Sequence, residues 1–505
     1  MRIVSRAAYD NRVFWGAVAL VVGIKLVLAA LLPITGDEAY FVQYARNVDW
    51  GGFYDHPPMV GWLLWLLAHV SDDPITLRLP AIATALIVGL GLYLLLRPVD
   101  EAKARLIALI MLFSPVYLIN VLITTDTALI AFGFLSAIAL QQALRREQWP
   151  LFALAGVLLG LAFLSKYFAV LLGLAYLALL PLAGRHHWRG FLVLFVAALP
   201  FGLLNLAWNY FHCWNHVMFN LFNRQSGGEF SLVGLAVYGL MLVYLFALPA
   251  WYLLRDRGFL YRELHITGLG ALVCTGIVPL LVFALLAPLV DIGLHWVLLF
   301  VPLVMAAAVL LSREDLDRSA RFMAWFGGAH ALILGMFLAV PVQMFDGREF
   351  ARDAVFYLAP GRFVEALAAY EGDFHATDSY SRAAVAAYYA GRQWSVFGTG
   401  SRHARQDDTL TDWRGRDGGR MVYFSRDHEV DVADLEPYFD TVEVETFDVA
   451  GQRFEVAIAE GFDYERYHAE VLARIRERYY DFPAVLPIGG CPFVDRYFGD
   501  GAGCR

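Results

Sequence analysis

The sequence predicts an α-helical polytopic membrane protein of about eleven transmembrane helices, followed by a C-terminal extracytoplasmic α/β domain. Three observations predict it. Of the 505 residues 59% are hydrophobic and only 17% charged, and the mean hydropathy of +0.54 lies beyond that of ordinary soluble domains. Apolar runs long enough to cross a bilayer recur through the first two thirds of the chain. The charge balance then changes near residue 343, from 21 basic and 18 acidic side chains before it to 18 basic and 29 acidic after it. The division expected is therefore a membrane part, 1–343, and a soluble part, 344–505. The acidic balance of the second part argues against nucleic acid, whose phosphates require basic partners.

A bilayer-crossing helix needs about 20 apolar residues, because its backbone must satisfy its own hydrogen bonds. Such runs lie near 13–33, 78–97, 105–122, 125–143, 150–165, 167–183, 190–210, 231–254, 266–289, 293–311 and 322–342. The first follows Arg2, Arg6 and Arg12 and lacks a small-residue cleavage site, so it reads as a retained anchor. The short loops RPVDEAKAR, RREQ, GRHHWRG, RDRGFLYRE and SREDLDRSAR each carry at least two basic residues. By the positive-inside rule they are cytoplasmic. The N-terminus is then inside, and an odd number of spans leaves the C-terminal part outside the cytoplasm. Asp37, Asp55, His56, Asp126, Lys166, Arg224 and His295 all fall on that outer side.

In the tail, β-rich runs at FHATDS, WSVFGTG, MVYFS, TVEVETF and FEVAIAE alternate with helical patterns, SRAAVAAYYAG and EVDVADLEPYF. VAGQR is a hairpin-turn candidate. Cys491 and Cys504 stand in what would be an oxidising compartment, so a disulfide between them is expected. Cys213 and Cys274 lie in or beside spans and read as apolar packing.

The outer loops hold the chemistry. GDEAYFVQYARNVDWGGFYDHPPMVGW, residues 36–62, sets five acidic or histidine side chains between apolar runs. Asp37 and Glu38 either end a helix at the water boundary or supply a carboxylate general base. In YDHPP, Tyr54 stands as a site-lining candidate, Asp55 offers a ligand to a divalent metal or to substrate hydroxyls, and His56 a donor to an anion. The competing reading makes this segment an interfacial helix entry capped by Asp55. ITTDTALI places Thr124, Thr125 and Asp126 at a helix start, where capping and substrate positioning are compatible. Lys166 in FLSKYFAVLL and Arg224 in FNRQSGG are cations that either snorkel to lipid headgroups or bind a phosphate. His295, in LHWV, either packs at the interface or lines the site.

GDEAYF, YDHPPMVGWLL, TTDTALIAF and LAFLSKYFAVLLGL, in that order, resemble the successive signatures of polytopic GT-C glycosyltransferases, the bacterial protein-mannosyltransferase-like group called glycosyltransferase family 39. SYSRAAVAAYYAGR followed by VFGTGSRHARQDD is similar to the extracytoplasmic domain of many bacterial members, and the aminoarabinose lipid A transferase is a more distant relative. The resemblance implies a GT-C fold and an inverting transferase that moves a hexosyl or pentosyl unit from a polyprenyl-phosphate donor to an acceptor hydroxyl of a lipid, glycan or protein. Asp37 matches the catalytic acid. Asp126 matches a second acidic position, with Glu38 beside Asp37 as a further candidate for positioning acceptor or sugar. Lys166 and Arg224 match basic positions associated with the donor phosphate, with His56 in support. Some relatives have an acid followed by lysine where this chain has Asp55 and His56, and use the acid at a metal; no histidine in FNLFNRQ completes such a set here.

Two rival classes stay open. A lipid-linked sugar transporter or flippase favours polar groups at mid-membrane and two similar halves, and this chain shows no internal repeat. A non-catalytic assembly partner for envelope glycan synthesis would tolerate loss of Asp37.

Overall fold

The computed structural model describes residues 10–223, 230–258, 263–264, 267–403, 405–483 and 485–499. The chain forms two compact units. The first comprises residues 1–30, 75–204 and 227–337; the second comprises 31–74, 205–226 and 338–505.

The first unit is helical. Helix forms at each of the eleven apolar runs, yet among the described residues only five helices are long and apolar enough to cross a membrane: Asn11–Leu31, Pro74–Leu96, Thr125–Arg146, Trp188–Phe211 and Arg313–Ala339. A sixth crossing is counted if the pair Leu232–Phe246 and Leu248–Arg255 is one span, although the two are bent by 99°. The remaining apolar runs form shorter helices among the described residues, and the breaks have local causes. Ala247 sits at φ 49° ahead of Pro249 in the bent pair. Pro115 opens a separate short helix after Glu101–Leu112. The run at 293–311 divides into three short helical pieces, Leu294–Val297, Val301–Met305 and Ala306–Leu310, the middle one with Pro302 in its first turn.

Small residues bring the helices together. A Cβ on Gly156 would lie 2.0 Å from the Leu194 carbonyl oxygen, and one on Gly160 would lie 2.2 Å from the Phe201 ring. The four-residue spacing puts both glycines on one face of Trp149–Phe163, so the facing helix approaches to backbone contact. Phe14, Val21, Leu92, Leu109, Phe134, Phe283 and Phe300 belong to the core. Lys25 is fully buried, and its ammonium donates to the Tyr117 and Asn120 carbonyls at 2.9 and 2.6 Å. It thus caps the carboxyl end of Pro115–Ile119, which relieves both a buried charge and unpaired helix carbonyls.

The second unit carries a five-stranded mixed sheet. Its strands are β1 (Phe374–Thr377), β2 (Ser395–Val396), β3 (Met421–Phe424), β4 (Thr441–Val449) and β5 (Gln452–Glu460), in the order β2-β1-β3-β5-β4. β1 runs parallel to β2 and β3, and β5 runs antiparallel to β3 and β4. Each lies at an expected run. The β4–β5 hairpin closes at Val449 and Gln452. Ala450 and Gly451, at φ 52° and 86°, make the two-residue turn read in VAGQR. EVDVADLEPYF forms only two 3₁₀ turns, Val432–Asp434 and Glu436–Tyr438. Asp431 caps the first, and Pro437 has no N–H with which to continue a helix.

The helix Gly36–Arg46 packs on Tyr380–Ala390 and on Met59–Ala68 in this unit. Tyr54, Phe397, Trp413, Tyr423, Phe462 and Tyr467 share its core. The disulfide joins Cys213 to Cys491, with Cα atoms 4.7 Å apart, and so corrects the expected pairing with Cys504, which lies outside the described residues. The cause is a close run of two segments distant in sequence. Gly489 N–H donates to Tyr210 O at 2.8 Å, Cys213 N–H to Gly490 O at 3.1 Å, and the Trp214 indole to Pro487 O at 2.7 Å.

Candidate functional site

The candidate residues fall into two groups, one in each unit. In the second unit, Asp37 lies in the first turn of Gly36–Arg46 and is exposed. The Tyr380 hydroxyl donates to its Oδ1 at 3.1 Å. Burial, and then the Asp37 charge, push the Tyr380 phenol above its ordinary range, so it stays a donor. An exposed carboxylate held by one neutral donor keeps its second oxygen available for a proton. Glu38, the next residue, is 2% exposed. It lies in the packed interior, which separates the two acids.

Asp55 is 4% exposed, and both the Tyr40 and Tyr44 hydroxyls donate to its Oδ1. The tyrosines are one helical turn apart, which is why both reach one carboxylate. Burial raises the Asp55 carboxyl to about 6, a rise these hydrogen bonds only partly offset. His56 Nε2 lies 3.8 Å from Asp55 Oδ2. Among the described residues Asp55 belongs to no group of three metal-ligating side chains within mutual reach. One of its oxygens already serves two phenols, so the side chains around it do not fit a metal, and no step is assigned to one. Tyr54 is fully buried, its N–H donating to Gln406 Oε1 at 2.7 Å. Its position is that of a packing residue.

The segment carrying Asp55 rests on a histidine-rich turn. Trp208 donates to Asp49 Oδ2 at 2.8 Å and stacks on His212 and His216. A Cβ on Gly51 would lie 2.3 Å from the Trp208 ring, and one on Gly52 would lie 2.6 Å from His216. The glycine pair is what lets the rings close on the backbone. The buried His216 uses Nε2 against the Phe53 carbonyl and faces the Asn205 and Asn209 amides with Nδ1 at 3.1 Å. A carbonyl on one nitrogen and amide donors on the other define a neutral ring with the proton on Nε2, and burial lowers its pKa to about 3. Arg405 completes this side: its guanidinium forms a two-bond pair with Asp408 at 2.7 and 2.8 Å.

In the first unit, Asp126, Lys166 and His295 come together. Lys166 Nζ donates to Asp126 Oδ2 at 2.7 Å, and His295 Nε2 lies 3.9 Å from the same oxygen. Asp126 lies in the first turn of Thr125–Arg146, where the helix dipole favours an anion. Thr124 and Thr127 do the capping, the Thr124 N–H donating to Thr127 Oγ1 at 3.1 Å. Asp126 is thereby free to face the ammonium, and its Oδ1 is buried without a hydrogen-bond partner among the described residues. Lys166 also lies 5.3 Å from the Phe168 ring centroid. Arg224 lies outside the described residues.

Sequence reasoning missed Tyr40, Tyr44, Tyr380 and His216. The repeat of tyrosine at 40 and 44, and the glycine pair before YDHPP, were the signals available.

Residues 55–208 match the protein-family model described as dolichyl-phosphate-mannose-protein mannosyltransferase. Over 242 residues the chain is 27% identical to the lipid A galacturonosyltransferase RgtD of Rhizobium johnstonii (strain DSM 114642 / LMG 32736 / 3841), a match covering 44% of this chain and 50% of that protein. The chain thus spans about half the length of that curated relative. Its fold is similar to that of ArnT from Cupriavidus metallidurans. For the apo crystal structure the TM-score is 0.61 at 13% identity, over 89% of this chain and 98% of that one. For the structure bound to undecaprenyl phosphate it is 0.59, also at 13%, over 87% and 97%. The chain is thus similar to the mannosyltransferase family model over residues 55–208 and to RgtD over part of its length, and it shares the fold of ArnT.

Proposed function

We propose that the protein is an inverting glycosyltransferase that moves a sugar from a polyprenyl-phosphate donor to an acceptor hydroxyl on the outer face of a bacterial inner membrane. The N-terminus is cytoplasmic; residues 1–343 carry the membrane spans, and their segments 31–74 and 205–226 fold in one unit with the extracytoplasmic part, 344–505. The observation that carries the reading is Asp37, an exposed carboxylate held at one oxygen by Tyr380. The Cys213–Cys491 disulfide supports an oxidising compartment for the unit that holds it. ArnT, which shares the fold, binds undecaprenyl phosphate, and the relative RgtD is named for transfer to lipid A. A lipid-linked donor and a glycolipid acceptor follow as the favoured substrate classes.

The step is a single displacement. The acceptor oxygen attacks the anomeric carbon while its proton passes to Asp37. The bond from that carbon to the phosphate oxygen breaks, and its electron pair leaves with the polyprenyl phosphate. Lys166 offsets the charge developing on the phosphate, as do Arg224 and His56 in this reading, while Asp126 holds the Lys166 ammonium in place. Attack opposite the leaving group inverts the anomeric configuration.

The test is transfer by purified protein from a polyprenyl-phosphate sugar, read as release of polyprenyl phosphate. Loss of a general base costs about 10²–10⁴-fold. Asp37→Asn is expected to lose at least 100-fold in kcat with an unchanged melting temperature; unchanged turnover would remove Asp37 from the chemistry.

A further inference from the structure

A cavity of about 240 Å³ opens in the second unit between the helices Gly36–Arg46 and Tyr380–Ala390 and the residues around β2. It is a second feature of the unit that holds Asp37, and its lining has a one-sided chemistry. The floor is apolar: the alanines of Tyr380–Ala390 and the faces of Tyr40 and Trp394. Such a floor suits the CH-rich face of a sugar ring.

Two buried donors in this lining are left without an acceptor. Trp394 is 4% exposed, and its indole N–H is buried with no hydrogen-bond partner among the described residues. The Gln43 amide nitrogen is buried and unpartnered in the same way. Burying a donor without an acceptor costs stability, so two in one lining call for acceptor atoms from outside the chain. The guanidiniums of Arg46 and Arg392 stand exposed in the lining, with one hydrogen bond each, to Ala387 O at 2.9 Å and to His375 Nε2 at 3.3 Å. The carboxylate in the lining, Asp407, is already taken: Oδ2 accepts from the Val396 N–H at 2.9 Å and Oδ1 from the Thr411 hydroxyl at 3.0 Å. The cavity therefore asks for a ligand rich in acceptors and negative in charge. One wall is Tyr380, whose hydroxyl holds Asp37.

We propose that this cavity is the acceptor subsite of the transferase and takes an anionic saccharide, with Arg46 and Arg392 on its phosphate or carboxylate group and the Trp394 and Gln43 N–H groups on its oxygens. The assignment as acceptor subsite rests on the transferase reading above; the binding chemistry does not.

Full-length protein in detergent, titrated calorimetrically with glucosamine 1-phosphate, galacturonate and neutral N-acetylglucosamine, tests it. One or both anionic probes are expected to bind at least tenfold more tightly than the neutral sugar, and the stronger of the two identifies the charged group as phosphate or carboxylate. Arg46→Gln with Arg392→Gln is expected to abolish that preference with the melting temperature unchanged, and Trp394→Phe, which keeps an aromatic ring but loses the indole N–H and its five-membered ring, to weaken binding severalfold in protein that still folds. In the transfer assay Arg392→Gln should raise the acceptor KM at least fivefold and leave the donor KM alone. No binding of any probe, equal binding of charged and neutral sugars, or arginine variants that bind as the wild type does would each overturn the proposal. Asp37→Asn inactive with acceptor KM unmoved by the arginine variants would leave the transferase and remove the subsite. Anion-selective binding in a protein without transfer would do the reverse.

Discussion

Replacing Lys166 by methionine strands a carboxylate. Asp126 and Lys166 are 9% and 12% exposed at their side chains and meet at 2.7 Å. At an effective dielectric of about 20 that separation corresponds to roughly 6 kcal/mol of attraction, much of it offset by the cost of desolvating both charges. What remains asymmetric is the loss of one partner. Removing either member of a buried pair costs about 3–5 kcal/mol, because the other charge stays buried and uncompensated. Asp126 has little else to turn to: its Oδ1 lacks a hydrogen-bond partner among the described residues, and His295 Nε2 stands 3.9 Å from Oδ2. Lys166→Met and Asp126→Leu alone should therefore each melt well below wild type, whereas the double variant, carrying neither charge, should recover most of the loss. Scanning fluorimetry of the detergent-solubilised proteins reads the stability, and the transfer assay reads function. The account expects the double variant to be folded and inactive. A double variant no more stable than the singles would show that the pair is not energetically coupled; a folded, active one would remove Lys166 from the donor site.

Three further outcomes follow from the geometry. The Asp55 carboxyl, raised from 3.8 to about 6 by burial, binds its proton more tightly folded than unfolded, so its contribution to stability falls as pH rises from about 4 to 6. Asp55→Asn should gain on wild type by about 3 kcal/mol across that window, as measured by melting against pH, and a constant difference would contradict it. Non-reducing digestion and mass spectrometry should yield a peptide linking Cys213 to Cys491, and Cys213→Ser should cost about 2–5 kcal/mol; a peptide linking Cys491 to Cys504 would refute the pairing. Gly156→Ala places a methyl 2.0 Å from the Leu194 carbonyl oxygen and should cost about 1–3 kcal/mol in thermal stability, whereas Gly202→Ala, with open space around it, should cost little.

The parts of this architecture legible in the sequence are those set by local pattern. Periodicity located helix at every apolar run and a strand at each β-rich run of the tail. Of the seven charged or histidine residues the sequence grouped, Asp126, Lys166 and His295 meet in space although they are up to 169 residues apart. What pattern could not show is which distant segments close on one another. Tyr380 lies 343 residues from Asp37, and Cys491 lies 278 from Cys213. The tyrosine repeat at 40 and 44 does not by itself name Asp55, which the fold brings to both hydroxyls. Helix length was overestimated for a related reason: hydropathy counts apolar residues and does not see where proline or a positive φ divides a run. A division by composition near residue 343 likewise cannot show that residues 31–74 and 205–226 fold with the C-terminal segment.

The most direct test of the central claim is lipid mass spectrometry of membranes from the native strain, from its deletion, and from a strain carrying Asp37→Asn at equal protein level. The account predicts that a polyprenyl-phosphate monosaccharide accumulates in both mutants, its mass naming the sugar. An unchanged carrier pool in the presence of a folded, expressed variant would contradict it.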